Sequence, residues 1–411
     1  MFSLVNSVTT VPLSFATGWV LSRFGVRKTA IVSSAFLAVA GWIRYVGAFH
    51  GVENLWVVFV GQTLASFGNP FVLSASAQNS ESWFSEQGRS VATAVTSLAG
   101  IIGSAVTSIV APMFFTKHSS KKNHEEQFRS WMFTQALMNS IVLVLVLFLL
   151  REHPPTPPSL SAADEKKHER DKPSFRQIVY GALTNIHFLC LMTFFGFGYG
   201  VVNSFQILTN QILHPLGYTD DQVGNIGAAM GFGVIGAFVV GAIMDATRAY
   251  TKILKSLSLV AGSAYLWLVL AIYLDTSSPH PWLVFAAMGL LGFSSLPMVV
   301  CVIEMGVETL YPLPEGVAPS FLWFAGNLLS LVFTGVASAL QQPCHDIDGK
   351  CIYPKYSMFH STIVLSVGFG LALLGAVAFR GPMRRMQLEQ RARERHVAPD
   401  RDDLLSPRPD F

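Results

Sequence analysis

Apolar residues along this chain run in long unbroken blocks, unlike the alternation of a half-buried strand or the single stripe of a surface helix. Eleven blocks are read, over residues 1–21, 29–49, 54–78, 89–115, 130–150, 187–213, 222–245, 253–274, 281–304, 317–341 and 357–379. Crossing roughly 30 Å of hydrocarbon takes about 20 helical residues. Lipid offers the backbone no hydrogen-bond partner, so each block must satisfy its own N–H and C=O groups, and a membrane barrel would show short alternating segments instead. The pattern predicts an all-α membrane protein of about eleven transmembrane helices.

Composition agrees. Charged residues make up 13% of the 411 and hydrophobic residues 51%, whereas a water-soluble domain carries about 25% charge. The scarce charges are informative by position. Arg23, Arg27 and Lys28 follow the first block, Arg248, Lys252 and Lys255 the seventh, and Arg380, Arg384 and Arg385 the last. The positive-inside rule makes these loops cytoplasmic. The opposite loops at 50–53, 214–221 and 275–280 contain no Lys or Arg. The stretch 116–129 runs against the rule, with Lys117, Lys121, Lys122 and Arg129 on the outer side. Cys344 and Cys351 also fall outside, at a spacing that allows a disulfide in an oxidising compartment, two unpaired thiols being the alternative. Cys190 and Cys301 lie within blocks and read as small buried side chains.

A Pro-rich and then densely charged stretch over 151–176 reads as a solvated linker. It divides the chain into an N-terminal bundle over 1–150, a cytoplasmic linker over 151–186, a C-terminal bundle over 187–379 and a cytoplasmic tail over 380–411. The bundles echo each other. Gly18, Ser22, Arg23 and Arg27 close the first block, and Gly241, Asp245 and Arg248 close the seventh. A glycine lets two helices approach, and a polar or acidic residue four positions on, followed by cations, can pin a neighbouring helix end. This repeat resembles the signature loop of the major facilitator superfamily, which implies two pseudo-symmetric six-helix bundles around a solute site near the bilayer midplane. Ser22 stands where that family has an acid. With five blocks before the linker and six after it, the first family helix is expected to be missing from this sequence.

Four shorter runs narrow the resemblance: Gly41-Trp42-Ile43-Arg44, Gly61-Gln62-Thr63, Ser82-Trp83-Phe84, and the long Glu304-x-x-x-Glu308-x-x-Tyr311-Pro312-x-x-Glu315-Gly316. Together they resemble the feline leukaemia virus subgroup C receptor-related (FLVCR) family. The resemblance implies transport of choline or ethanolamine, with haem and other organic cations claimed for relatives. It also implies that the cage tryptophan lies on the missing helix, that Asn203 replaces a cage tyrosine, and that Asn69 and Asn327 replace glutamines.

Mid-block polar and aromatic residues are the candidate lining. Asn69, Asn203, Gln206 and Asn327 each cost energy in lipid unless they face a cavity or a partner, and bonding between helices is the alternative to solute binding. Tyr199, Phe205, Phe321 and Trp323 supply rings over which a quaternary ammonium is stabilised without a fixed anion. Gly196, Gly198, Gly200 and Asn203 weaken the sixth block, as in a discontinuous gating helix. Arg44 either snorkels to water or makes an interhelical contact. Glu304, Glu308 and Glu315 flank the Tyr311-Pro312 turn as candidate latch acids, a solvated acidic loop being the alternative. No further Asp, Glu, Lys or Arg stands deep in a block, which predicts a facilitator rather than a proton-coupled carrier. His187 reads as an interfacial side chain rather than a haem ligand, and haem transport ranks second.

No catalytic triad, metal cluster, phosphate loop or basic aromatic surface is read, so no enzyme activity, cofactor or nucleic-acid partner is expected. The expected partners are the bilayer and a small-molecule solute, with the chain acting as a monomer. The plasma membrane is the default location, or an endolysosomal or vacuolar membrane if Asp400, Leu404 and Leu405 form a sorting signal. A non-transporting receptor or an inactive fragment on the same scaffold is the remaining alternative.

Overall fold

The structure, a computed structural model, describes residues 2–49, 55–84, 88, 121–152, 174–273, 280–343, 345–347, 350–352, 354 and 356–381, with scattered positions between 91 and 114. The N-terminal half contains α1 (Phe2–Gly47), α2 (Leu55–Trp83) and α3 (Lys121–Leu149). The described positions between 91 and 114 are helical as well. A short helix, α4 (Phe175–Thr184), leads into α5 (Ile186–Leu213). Then follow α6 (Asp220–Ala229), α7 (Phe232–Thr247), α8 (Tyr250–Tyr273), α9 (Pro281–Leu310) and α10 (Val317–Ala339). A three-residue antiparallel hairpin, β1 (His345–Ile347) and β2 (Lys350–Ile352), precedes α11 (Phe359–Ala378).

Among the described residues, nine helical stretches are long and apolar enough to cross a membrane. The first two sequence blocks share one of them. At 46 residues, α1 would be about 69 Å long, more than twice the hydrocarbon thickness. It breaks at Gly25, whose φ of 80° and ψ of 169° lie outside the helical region. Glycine reaches positive φ without a Cβ clash, and a Cβ here would collide with the Glu152 carboxylate. That carboxylate accepts hydrogen bonds from the Val26 N–H at 2.7 Å and the Arg27 N–H at 3.0 Å. The end of the last N-terminal helix thereby caps the start of the second span, offsetting orphan donors and the positive end of its dipole.

Two helices differ from the sequence pattern. The sixth block, expected to be discontinuous, is an unbroken helix over α5. Its glycines serve close approach instead: a Cβ on Gly196 would sit 3.0 Å from Leu329 Cδ1, and one on Gly200 2.9 Å from Leu329 Cβ. Spaced four apart, they give α10 a flat face to pack on. The seventh block is the interrupted one, α6 and α7 being separated at Met230 and Gly231. There Gly233, Gly236 and Gly292 press against the opposing backbone so closely that a Cβ at any of the three would meet a carbonyl oxygen. Their packing allows α9, buried on nearly every side from Val300 to Leu310, to run through the middle of the C-terminal half.

Arg129, one of the cations that ran against the positive-inside rule, has its guanidinium 4.4 Å from the centre of the Phe49 ring. A cation over an aromatic face gains attraction that eases its partial desolvation. The candidate disulfide between Cys344 and Cys351 and the candidate sorting residues Asp400, Leu404 and Leu405 fall outside the residues whose side chains are described.

Candidate functional site

The two halves meet where α1 crosses the start of α10. A Cβ added to Gly18 would lie 2.6 Å from Ser320 Oγ, 2.8 Å from Val317 Cα and 3.1 Å from Gly316 O, so only glycine allows this approach. Just above it, Phe15 packs edge-on to Phe321 at 5.2 Å and to Phe324 at 5.3 Å. At the N-cap of α10, a Cβ on Gly316 would come 3.2 Å from Gln78 Oε1 of α2 and 3.4 Å from Leu21 Cβ of α1. The signature glycine of the first half is therefore seated on a helix of the second.

Carboxylates of the second half reach the first in return. Asp245 Oδ2 accepts from the Val91 N–H at 3.3 Å, and Glu304 Oε1 accepts from Thr93 Oγ1 at 2.6 Å. Thr93 in turn lies 2.6 Å from Ser80 Oγ. A threonine hydroxyl has one proton, so Thr93 donating to Glu304 requires Ser80 to donate to Thr93. The chain Ser80–Thr93–Glu304 spans α2, the partly described fourth block and α9. Glu304, Glu308 and Glu315 are 3%, 5% and 8% exposed, so none of the three belongs to a solvated loop. Tyr311 caps α9 through its N–H to Val307 O at 3.2 Å, and its bond to Pro312 is cis.

Pseudo-symmetry breaks at Ser22. Its hydroxyl bonds back to Trp19 O at 2.9 Å within α1, whereas Asp245, at the matching place, reaches another helix. Arg23 lies 6.0 Å from the Trp19 ring. Gly241 is buried in α7, and Arg248 ends that helix with a φ of 52°, its N–H bonding Met244 O at 2.8 Å. Arg44 belongs to a different contact: its Nη1 donates to Gln62 Oε1 at 3.1 Å, and its Cγ would meet a Cβ on Gly61 at 2.6 Å. The Gly41–Arg44 and Gly61–Thr63 runs thus converge inside the N-terminal half, tying α1 to α2 rather than one half to the other.

The candidate lining sorts by contact. Tyr199 and Phe195, one turn apart on α5, stack at 5.5 Å with planes 1° from parallel. Trp323 of α10 stands edge-on to both, at 5.1 and 5.3 Å. Room for the rings comes from Gly326, where a Cβ would be 2.7 Å from Tyr199 Cδ1. Trp323 Nε1 is buried without a hydrogen-bond partner among the described residues, an expense a protein seldom retains in an apolar setting. Asn203 Nδ2 donates to Ser330 Oγ at 2.8 Å, and Asn327 Nδ2 to Trp323 O at 2.8 Å. Both amides hold protein to protein. Asn69 is half-buried and Gln206 exposed. Phe321 is fully buried between Phe15 and Phe188, and Phe205 packs on Tyr265.

Phe195, Gly326, Ser80, Thr93 and Glu152 escaped sequence reading. For Glu152 a signal existed: an acid just past the end of an apolar block, facing a glycine-broken loop. For Ser80 and Thr93 none did, since hydroxyls are common on spans and bond most often to their own helix.

Apolar helices in two halves, joined at one mouth by glycine-tight packing and carboxylates on partner helices, with a ring cluster farther along the spans, define a multi-pass integral membrane transporter. The chain belongs to the Major Facilitator Superfamily, whose model matches residues 1–344. It is 28% identical over 350 residues to solute carrier family 49 member A3 of Xenopus tropicalis, covering 83% of this chain and 69% of that protein. It is 25% identical over 335 residues to the choline/ethanolamine transporter flvcr2a of Danio rerio, covering 81% and 70%. The fold matches the transporter FucP in its outward conformation with a TM-score of 0.66 at 14% identity, over 92% of this chain and 90% of that one. It matches the proton:xylose symporter XylE with a TM-score of 0.67 at 10% identity, over 92% and 85%.

Proposed function

We propose that this transporter is a facilitative carrier of a small choline- or ethanolamine-like organic cation, working by alternating access. The observation that carries the proposal is the ring cluster of Phe195, Tyr199 and Trp323 with the unpartnered Trp323 Nε1. Aromatic faces stabilise a desolvated ammonium by about 2 kcal/mol or more, and the indole N–H offers a donor for a solute hydroxyl. The likeness to a choline/ethanolamine transporter supports the same chemistry.

In this reading the junction of Gly18 with α10, the Thr93–Glu304 bond and the Val91–Asp245 bond are the contacts of a shut cytoplasmic gate. Asp245 and Glu304 pin helix ends when the halves close and release them when the mouth opens. Asp245 carries this task alone among the two signature loops, because Ser22 bonds within its own helix. Apart from Arg44 and Glu304, no Asp, Glu, Lys or Arg stands deep in an apolar block, which supports solute movement down its own gradient.

Uptake of labelled choline and ethanolamine by the purified protein in liposomes, with and without a proton gradient, tests the proposal. Saturable uptake of either solute, unchanged by the proton gradient and weakened by Tyr199→Ala, is the expected result. Absence of uptake, or uptake that collapses with the proton gradient, overturns the reading.

A further inference from the structure

Away from the gate and the ring cluster, the described residues form an apolar groove beside the linker helix. The linker helix α4 carries a capping box, Ser174 Oγ accepting from the Gln177 N–H while the Gln177 side chain accepts from the Ser174 N–H. The helix is anchored to the C-terminal half. Ile178 and Ala182 are buried, a Cβ on Gly181 would meet Leu313 Cδ1 at 3.0 Å, and Asn185 Nδ2 donates to Thr309 O at 3.0 Å. At its other end Phe175 packs edge-on to Phe15 and Trp19 of α1, at 5.8 and 6.2 Å. Between α4 and α1 lies a cavity of about 300–1,000 Å³ class, measuring 620 Å³.

Its walls are Phe15, Phe175, Val179 and Leu183, and Arg176 is the charged side chain on its lining. On this groove Tyr180 is 71% exposed, and Ile186 at the start of α5 is 64% exposed, apolar surface that water would make costly. Such residues belong at a bilayer interface, where Tyr and Trp rings sit at headgroup level. Arg23 lies 6.0 Å from the ring of Trp19, which in turn packs on Phe175. The cytoplasmic leaflet is the negatively charged one, and the positive-inside rule puts α4 on that face.

We infer that the groove between α1 and α4 binds an anionic glycerophospholipid of the cytoplasmic leaflet, one acyl chain against Phe15, Val179 and Leu183 and the headgroup phosphate against Arg176. The apolar walls select a lipid over a free phosphate, and Arg176 selects an anionic headgroup over a zwitterionic one. Because α1 belongs to one half and α4 is fixed to the other, the bound lipid bridges the two. The inference does not depend on which solute is carried.

The test is native mass spectrometry of the full chain released from micelles doped with phosphatidylserine, phosphatidylcholine or inorganic phosphate. The wild type is expected to retain phosphatidylserine in preference to phosphatidylcholine and to retain no inorganic phosphate. Arg176→Gln should lower phosphatidylserine retention about fivefold, the worth of one cation near an anionic surface, and Val179→Trp should lower it by filling the groove while Arg176 stays. Both positions are at the helix surface or cavity wall, and thermal unfolding of each variant verifies that it folds. Equal retention of the two lipids by wild type, undiminished retention in either folded variant, or retention of inorganic phosphate by itself would overturn the inference.

Discussion

Gly18→Ala is the smallest change that tests whether the α1–α10 junction is a gate. The added carbon would stand 2.6 Å from Ser320 Oγ and 2.8 Å from Val317 Cα. The serine hydroxyl already bonds Val317 O at 2.7 Å, and the α-carbon is backbone at a helix start, so relief comes from separating the two helices. Overpacking a fitted contact costs about 1–3 kcal/mol. At about 1.4 kcal/mol per factor of ten, that moves the ratio of shut to open molecules by roughly 5- to 150-fold toward the open state. Alanine also favours helix over glycine by about 1 kcal/mol, but this acts on α1 in both states and cancels. Gly335→Ala on α10 is the control, because nothing lies within 4 Å of a Cβ there. The assay is a spin-label distance in liposomes between Arg27→Cys and Lys255→Cys, exposed positions in opposite halves, with the four native cysteines replaced. The long-distance population should grow in Gly18→Ala and not in Gly335→Ala. Identical distributions for the two variants would refute the gate.

Three further outcomes are expected. Thr93→Val removes the donor to buried Glu304 and should weaken the shut state by about 1–3 kcal/mol, read as faster modification of cysteines placed in the cytoplasmic mouth. Asp245→Asn keeps the shape but loses the charge facing the Val91 N–H, a change of about 0.3–2 kcal/mol at a helix N-terminus, and should act in the same direction with a smaller effect. Trp323→Phe keeps a ring and deletes the orphan donor. It should raise the apparent KM for choline, whose hydroxyl the indole N–H would meet, while barely changing that for tetramethylammonium, which has none; equal effects on both would remove the N–H from recognition.

Most of the fold was legible from the chain because a bilayer imposes a one-dimensional rule. Twenty apolar residues in a row must be helical, and Lys and Arg must fall mainly on one side, whatever their neighbours in space. A break between the blocks ending at 21 and beginning at 29 was legible for the same reason, though its place at Gly25 was not. Helix continuity was less so: the glycines of α5 suggested a break, yet Gly196 and Gly200 are explained by Leu329 on another helix, and the real interruption fell at Met230 and Gly231.

By itself the sequence determined the membrane class, the family resemblance and the residue types at the mouth and in the spans. Only the tertiary structure decided which of them meet. Glu304 bonds a threonine 211 positions away, Asp245 an amide 154 away, and Glu152 caps a helix 126 residues before it. Solvation by lipid is felt residue by residue and so is written along the chain, whereas a hydrogen bond or a glycine-tight crossing needs two distant segments held within a few ångströms, and that is set by packing.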